Sequence, residues 1–213
     1  MKPYVILISG QGSNMQALLE DQLPGQCRAV ISNRPEASGL ATAAAYGIPT
    51  KVIDHHAFAS RDAFDMALAD EIESYTPQLV LLAGFMRILS NAFVARFSGR
   101  MLNIHPSLLP AFPGIKTHAQ ALAASVKTHG CTVHFVTPAL DGGPIIAQAA
   151  VPVLPDDTEE SLAARVLAEE HRLYPRVARW FLTGQVHLID GRVKCTAPLA
   201  SLESAIPRPA KDR

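Results

Sequence analysis

Five short aliphatic and β-branched runs, Tyr4–Ser9, Ala29–Ser32, Lys51–Ile53, Leu79–Ala83 and Met101–His105, alternate with four longer stretches of helical pattern. The helical stretches are Asn14–Asp21, Ser38–Tyr46, Ser60–Tyr75 and Ser90–Phe97. This alternation constrains the fold more than any other feature. The short runs are apolar enough to be covered on both faces, as strands of a parallel sheet are. Within Ser60–Tyr75, Phe64, Leu68, Ile72 and Tyr75 recur at spacings of four and three, while Asp62, Asp65, Glu71 and Glu73 fall on other faces. Ser60 is placed to cap that helix. Repeated βα units with short connections imply a parallel sheet with right-handed crossovers, an α/β class of fold.

After Pro106 the texture changes. Residues His105–Thr117 carry Pro106, Pro110 and Pro113 and read as a loop, followed by a short helix near His118–Lys127. Thr132–Val136 and Ile145–Val153 read as strands separated by a turn, LDGGP. Asp157 and Thr158 precede a helical pattern through Leu162, Val166 and Leu173, and Pro175 is expected to start a separate segment. The expected organisation is one domain over 1–195 with a loosely attached tail at 196–213, where three prolines occur without a period.

With 213 residues, a single core can form without a disulfide or metal staple. The 19 basic and 19 acidic side chains cancel, which argues against a nucleic-acid or membrane-surface partner, since both require a basic excess. Cys27, Cys131 and Cys195 are odd in number, far apart and without a CxxC pair, as expected of reduced thiols in a cytoplasmic protein. The first apolar run is too short for a signal peptide, and Leu79–Met86 is too short to span a bilayer. No HExxH motif or Cys/His cluster is present, so metal-free chemistry is expected.

Four features could carry chemistry. The first βα turn reads S-G-Q-G-S-N from Ser9 to Asn14. Gly10 and Gly12 allow a ligand close to the backbone, and Ser13 and Asn14 lie where free helix-start N–H groups attract an anion. The spacing is neither GxGxxG nor a Walker motif, which lowers the case for a dinucleotide or ATP. A tight turn capped by Ser13 and Asn14 would use the same residues, but a location at the carboxyl end of the first strand favours phosphate.

On the fifth strand, Asn103 and His105 are two apart and project from one face, and Pro106 keeps His105 extended. An amide beside an imidazole suits a developing oxyanion, although polar side chains that merely satisfy loop backbone would look the same. Asp141, in LDGGP, could pair with an imidazole at a neighbouring strand end, fixing its orientation and favouring imidazolium. A hairpin turn alone would also account for Asp-Gly. Finally, Val166, Glu170 and Leu173 share a helical stripe, which puts a carboxylate among apolar residues, in need of a ligand amine or a salt bridge to Arg165 or Arg172.

The segments LISGQGSN, LLAGFMRIL, LNIHPSLLPAFPG, HGCTVHFV, LDGGPIIAQ and EEHRLYP occur in this order. Together they closely resemble the phosphoribosylglycinamide formyltransferase family of folate-dependent enzymes, from about Tyr4 to Thr183. NIHPSLLP and LDGGP are shared across folate-dependent formyltransferases, and SGxGSN narrows the resemblance to the glycinamide ribonucleotide enzymes. The resemblance implies the formyltransferase fold: Rossmann-like, with a mostly parallel central sheet and helices on both faces.

By the same resemblance Asn103, His105 and Asp141 are catalytic. Gly12, Ser13 and Asn14, with Leu167, Ala168, Glu169 and Glu170, would contact the ribonucleotide. Arg61, Met86, Arg87, Ile88, Leu89, Asn103, Thr137, Pro138, Ala139, Leu140 and Asp141 would line the folate pocket. The implied reaction moves the formyl group of the co-substrate 10-formyltetrahydrofolate to the amine of glycinamide ribonucleotide, with no metal and no covalent enzyme intermediate.

The expected partners are these two small molecules, with no nucleic acid or membrane, in a monomer or homodimer. Formyltetrahydrofolate hydrolysis is the nearest alternative, but its pattern has HH where this chain has His105-Pro106. Methionyl-tRNA formylation would call for a further domain and a basic surface. A non-catalytic folate- or nucleotide-binding module would not need Asn103, His105 and Asp141 together.

Overall fold

Along β1 (Lys2–Ile8) every side chain from Tyr4 onward is buried, and neighbours point to opposite cores. Tyr4, Ile6 and Ile8 pack into one cluster; Val5 and Leu7 pack into the other with Phe64, Leu68 and Ile72. A strand covered on both sides reads as an unbroken apolar run, which is why β1 was legible. The structure, a computed structural model, describes residues 1–197.

The remaining elements are α1 (Ser13–Glu20), β2 (Gly25–Ser32), α2 (Gly39–Ala45), β3 (Thr50–Val52), α3 (Arg61–Ser74), β4 (Leu79–Leu82) and α4 (Asn91–Arg96). They continue with β5 (Met101–His105), α5 (Thr117–Ala123), β6 (Thr128–Phe135), β7 (Ile145–Pro152), α6 (Glu159–Leu182), β8 (Val186–Ile189) and β9 (Arg192–Cys195). Seven strands form one sheet in the order β3-β2-β1-β4-β5-β6-β7. The pairings from β3 to β5 are parallel, whereas β6 runs antiparallel to β5 and β7 antiparallel to β6. The mostly parallel α/β sheet with helices on both faces is the expected class. No helix among the described residues is long and apolar enough to cross a membrane, and all three cysteines are free.

Helix starts follow their caps. Ser60 Oγ accepts from Ala63 N (3.1 Å) at the head of α3, and Ser90 Oγ accepts from Phe93 N (3.3 Å) at α4. Thr158 and Ser161 form a reciprocal capping box at α6.

Three expectations are corrected. Pro175 does not start a new segment: α6 runs through it for 24 residues. Tyr174, Pro175, Val177 and Ala178 are all buried, so tertiary packing outweighs the hydrogen bond that proline cannot make. Strands β2 and β6 begin about one turn of sequence earlier than their dense apolar runs. The amino half of β2 alternates half-buried and exposed residues, and the first residues of β6 after Thr128 are His129 and Gly130, which carry no strand signal. The hairpin β8–β9 was not anticipated, although its turn is Asp190-Gly191 with both φ angles positive (51° and 71°), a strong two-residue hairpin signal. Of the expected tail at 196–213, Thr196 donates its N–H to Gln185 O (2.9 Å). Residues 198–213 lie outside the described residues.

The longest helix is tied to the sheet at one buried point. The Tyr174 hydroxyl lies 3.0 Å from both Leu82 O, at the end of β4, and Leu102 O, next to Asn103 in β5. Removing it leaves strand-end carbonyls without that donor in a fully buried position. Tyr174→Phe is expected to cost about 1–3 kcal/mol and to lower the thermal midpoint by roughly 2–4 °C per kcal/mol. A circular-dichroism melt checks this, and an unchanged midpoint would mean that the hydroxyl contributes nothing.

Candidate active site

The residues singled out from sequence gather at the carboxyl edge of the sheet. Asn103 and His105 project from one face of β5, two residues apart. Antiparallel β6 pairs directly with them, Asn103 opposite His134 and His105 opposite Thr132. The β6–β7 turn brings Asp141 back over this edge in a left-handed conformation (φ 49°). Short polar residues such as Asp tolerate that region better than branched ones. Gly143 is required a step later, because a Cβ there would collide with the Phe135 carbonyl oxygen.

Asp141 Oδ2 lies 3.5 Å from His105 Nδ1 and accepts from Gly114 N at 2.8 Å. The other carboxylate oxygen is 4.0 Å from His134 Nε2. His105 Nε2 is 3.0 Å from Phe112 O, so each ring nitrogen faces an oxygen acceptor. The imidazoles of His105 and His134 are almost completely shielded. Thr132 anchors the adjoining proline-rich loop: its hydroxyl donates to Ser107 O (2.7 Å) and accepts from Leu109 N (3.0 Å).

His134 is the functional candidate that sequence reasoning missed. Its Nδ1 lies 2.9 Å from Phe135 O, a pure acceptor, so Nδ1 carries the hydrogen. Nε2 is then free to accept from Asn103 Nδ2 at 3.2 Å. Burial pushes the His134 pKa down, keeping the ring neutral and this polarity intact. The contact fixes the Asn103 amide with its second N–H available to a ligand. The available signal was weak: His134 lies two residues after Thr132 in a strand, but only the β5–β6 register puts it against Asn103.

Beside these groups a cleft is lined by Arg87, Ile88, Leu89, Asn103 and Thr137–Asp141, with Leu82, Phe85, Val94, His134 and Val136 forming its floor and sides. Met86, next to this wall, is largely exposed. Arg61 is not on the wall: at the first turn of α3 it lines a separate depression with Asp65, Met66 and Ser90. A larger concavity, lined by Tyr4, Leu23, Cys27 and Tyr46, contains none of the candidate catalytic groups.

The glycine turn forms a second candidate subsite. Gly12 is left-handed (φ 75°) and caps α1 with no side-chain hydrogen bond, so the first helical N–H groups remain open to an anion. Gly10 O accepts from Gly39 N (3.0 Å), which fixes the turn against α2. Asn14 is buried and does not cap the helix; its Nδ2 donates to Glu170 Oε2 at 2.6 Å while its Oδ1 has no partner.

Glu170 is therefore where its helical phase puts it, on the buried stripe. The salt bridges considered for it are taken by other groups: Arg165 pairs with Asp157 (2.7 Å) and Arg172 with Glu169 (2.9 Å). Leu167 is half-buried, Ala168 is exposed, and Glu169 faces away from the Asn14–Glu170 contact toward Arg172. Among the described residues, one grouping could converge on a cation, Asp54, His55 and His56. Its atoms are already engaged, Asp54 Oδ1 by His56 N and His55 Nδ1 by Asn33 O.

Residues 2–178 match the formyl transferase family. The chain is 51% identical over 188 residues to phosphoribosylglycinamide formyltransferase of Escherichia coli, covering 86% of this chain and 89% of that protein. It is 48% identical over 193 residues to the trifunctional purine biosynthetic protein adenosine-3 of Bos taurus, covering 88% of this chain but only 19% of that longer protein. The solved structure of the Coxiella burnetii phosphoribosylglycinamide formyltransferase superposes with a TM-score of 0.88 at 48% identity, over 91% of this chain and 93% of that one.

Burial raises the Glu170 pKa above the ordinary carboxylate range, and the Asn14 hydrogen bond offsets part of the rise. A raised folded-state pKa means that the folded protein holds this proton more tightly than the unfolded chain. Its contribution to stability is full below the unfolded pKa and is lost as pH rises through the folded value. Glu170→Gln removes that titration. The melting temperature of the ligand-free variant should gain on the wild type as pH rises from the carboxylate range toward neutral. A difference independent of pH would show that the carboxylate is not held at a desolvation cost.

Proposed function

Because the chain belongs to the formyl transferase family, we propose that it acts as a phosphoribosylglycinamide formyltransferase in de novo purine synthesis. In this reading it transfers the formyl group of 10-formyltetrahydrofolate to the amine of glycinamide ribonucleotide. One observation carries the assignment of roles: Asn103, His105 and Asp141 converge at the carboxyl edge of the sheet, beside a cleft of mixed polar and apolar lining. An anion-compatible helix start lies along the same edge.

The phosphate of the ribonucleotide fits the turn of Gly12, Ser13 and Asn14, where open N–H groups and the helix dipole favour negative charge. Glu170 and Asn14, buried together, offer a carboxylate and an unpartnered amide oxygen to the rest of the ribonucleotide. The folate ring suits the cleft between Arg87–Leu89 and Thr137–Asp141, where Leu82, Phe85, Val94 and Val136 offer apolar surface and Asn103, Thr137 and Asp141 offer polar partners.

The reaction is acyl transfer. The amine nitrogen bonds to the formyl carbon, and the carbonyl electron pair moves onto oxygen. Asn103, oriented by neutral His134, and His105 donate hydrogen bonds to that oxygen. Collapse breaks the bond between the formyl carbon and the folate nitrogen, while the proton lost by the amine reaches that nitrogen through His105 or water. Asp141, 3.5 Å from Nδ1, holds the ring and balances charge on it during the relay. Nε2 now faces Phe112 O, and this contact must give way for the ring to reach substrate.

A spectrophotometric assay of folate release tests the reading. Release is expected only when glycinamide ribonucleotide is present; release without it would support hydrolysis instead. Asn103→Ala and Asp141→Asn should each lower kcat by about 10²–10³-fold with small changes in KM. Gly12→Val, which forces a β-branched residue into a left-handed turn, should raise the KM for the ribonucleotide far more than that for the folate. Equal effects on both would count against the phosphate assignment.

A further inference from the structure

Four neighbouring strand ends are joined by one line of hydrogen bonds. Just beyond β3, His55 Nδ1 donates to Asn33 O at 2.8 Å. Asn33 follows β2 directly, and its Oδ1 accepts from Ser9 Oγ at 2.6 Å. Ser9 follows β1, and the same Oγ accepts from Met86 N, beyond β4, at 2.8 Å. The strand order β3-β2-β1-β4 makes this line run straight across the carboxyl edge. Ser9 also donates its own N–H to Gly84 O (3.1 Å), so the ends of β1 and β4 are joined twice.

The two segments that meet at Ser9 belong to different substrates in the functional reading above, on which this inference rests. Ser9 immediately precedes the Gly10–Asn14 turn assigned to phosphate. Met86 immediately precedes the Arg87–Leu89 wall assigned to folate, and the far end of that wall is held by Asp65 Oδ2, which accepts from Ser90 N at 2.6 Å. Both Ser9 and Asn33 are buried, so breaking either hydrogen bond leaves a desolvated polar group without its partner.

We propose that Ser9 is a positioning residue that couples the two substrate sites. A single buried hydroxyl that donates to Asn33 and accepts from Met86 cannot follow one loop without shifting the other. Phosphate that settles the Gly10–Asn14 turn also settles Met86 and the Arg87–Leu89 wall that follows it, so each substrate raises the affinity for the other by the same factor.

Calorimetric titration of the full chain with tetrahydrofolate, with and without saturating glycinamide ribonucleotide, measures that factor. The wild type is expected to bind tetrahydrofolate at least about fivefold more tightly with the ribonucleotide present. Ser9→Ala should bind both ligands and unfold cooperatively, with the factor reduced to nearly one. Hydrogen exchange at the Met86 amide provides a measurement without mutation, and it decides alone if the variant does not fold. Ribonucleotide by itself should slow that exchange severalfold while the folate site is empty. Independent affinities in the wild type, an undiminished factor in Ser9→Ala, or unchanged Met86 exchange would overturn the coupling. Turnover with independent affinities overturns the coupling alone, whereas failure of the wild type to bind the ribonucleotide overturns the functional reading with it.

Discussion

The pairing of β5 with an antiparallel β6 is the constraint on which the site depends. Up to β5 the sheet is a parallel α/β array whose strands all end at one edge. Reversing direction at β6 brings Thr132, in the middle of an oppositely directed strand, beside His105, and the register sets His134 against Asn103. The chain then leaves β6 near the amino side of β5 and must turn back into β7. That return carries Asp141 across to the imidazole of His105. A fully parallel sheet would have sent this segment into a crossover helix instead.

The parts of this arrangement legible in sequence are those set by local pattern. Asn103 and His105 share a face because a strand has a period of two, and Glu170 lies inward because a helix has a period of 3.6. The continuous apolar runs of β1 and β4 mark strands with cores on both sides. Distances between segments were not legible. Asp141 reaches His105 only through the hairpin of β6 and β7, and Asn14 meets Glu170 across 156 residues of chain. His134 was passed over because a lone strand histidine has no local signature. Pro175 misled for a related reason: its local preference is to break a helix, and the packing that overrules it is tertiary.

Buried polar groups at the site are arranged in matched pairs, and the pairs differ in electrostatic character. His134 is held neutral by burial, so it can accept a hydrogen bond from Asn103. The same physics pushes the Glu170 pKa up, with one amide donor as compensation. Asp141 is different: it is ringed by the Gly114 N–H and two imidazoles. Desolvation alone would make all of these groups alike. The donor or acceptor supplied to each makes His134 an acceptor, Glu170 a carboxylate bonded to an amide, and Asp141 a partner for two imidazoles.

The steric lock at Gly143 divides the turn that carries Asp141 into two zones for protein engineering. No other residue fits at Gly143 without displacing the Phe135 carbonyl, so the path by which the chain re-enters β7 is effectively invariant. Leu140, only three residues away, is mostly open to solvent and still lines the cleft. On the proposed reading of the cleft as the folate site, libraries aimed at accepting altered ligands can be concentrated on Pro138, Ala139 and Leu140. Such libraries can reshape the rim while the glycine keeps the carboxylate registered on its imidazole.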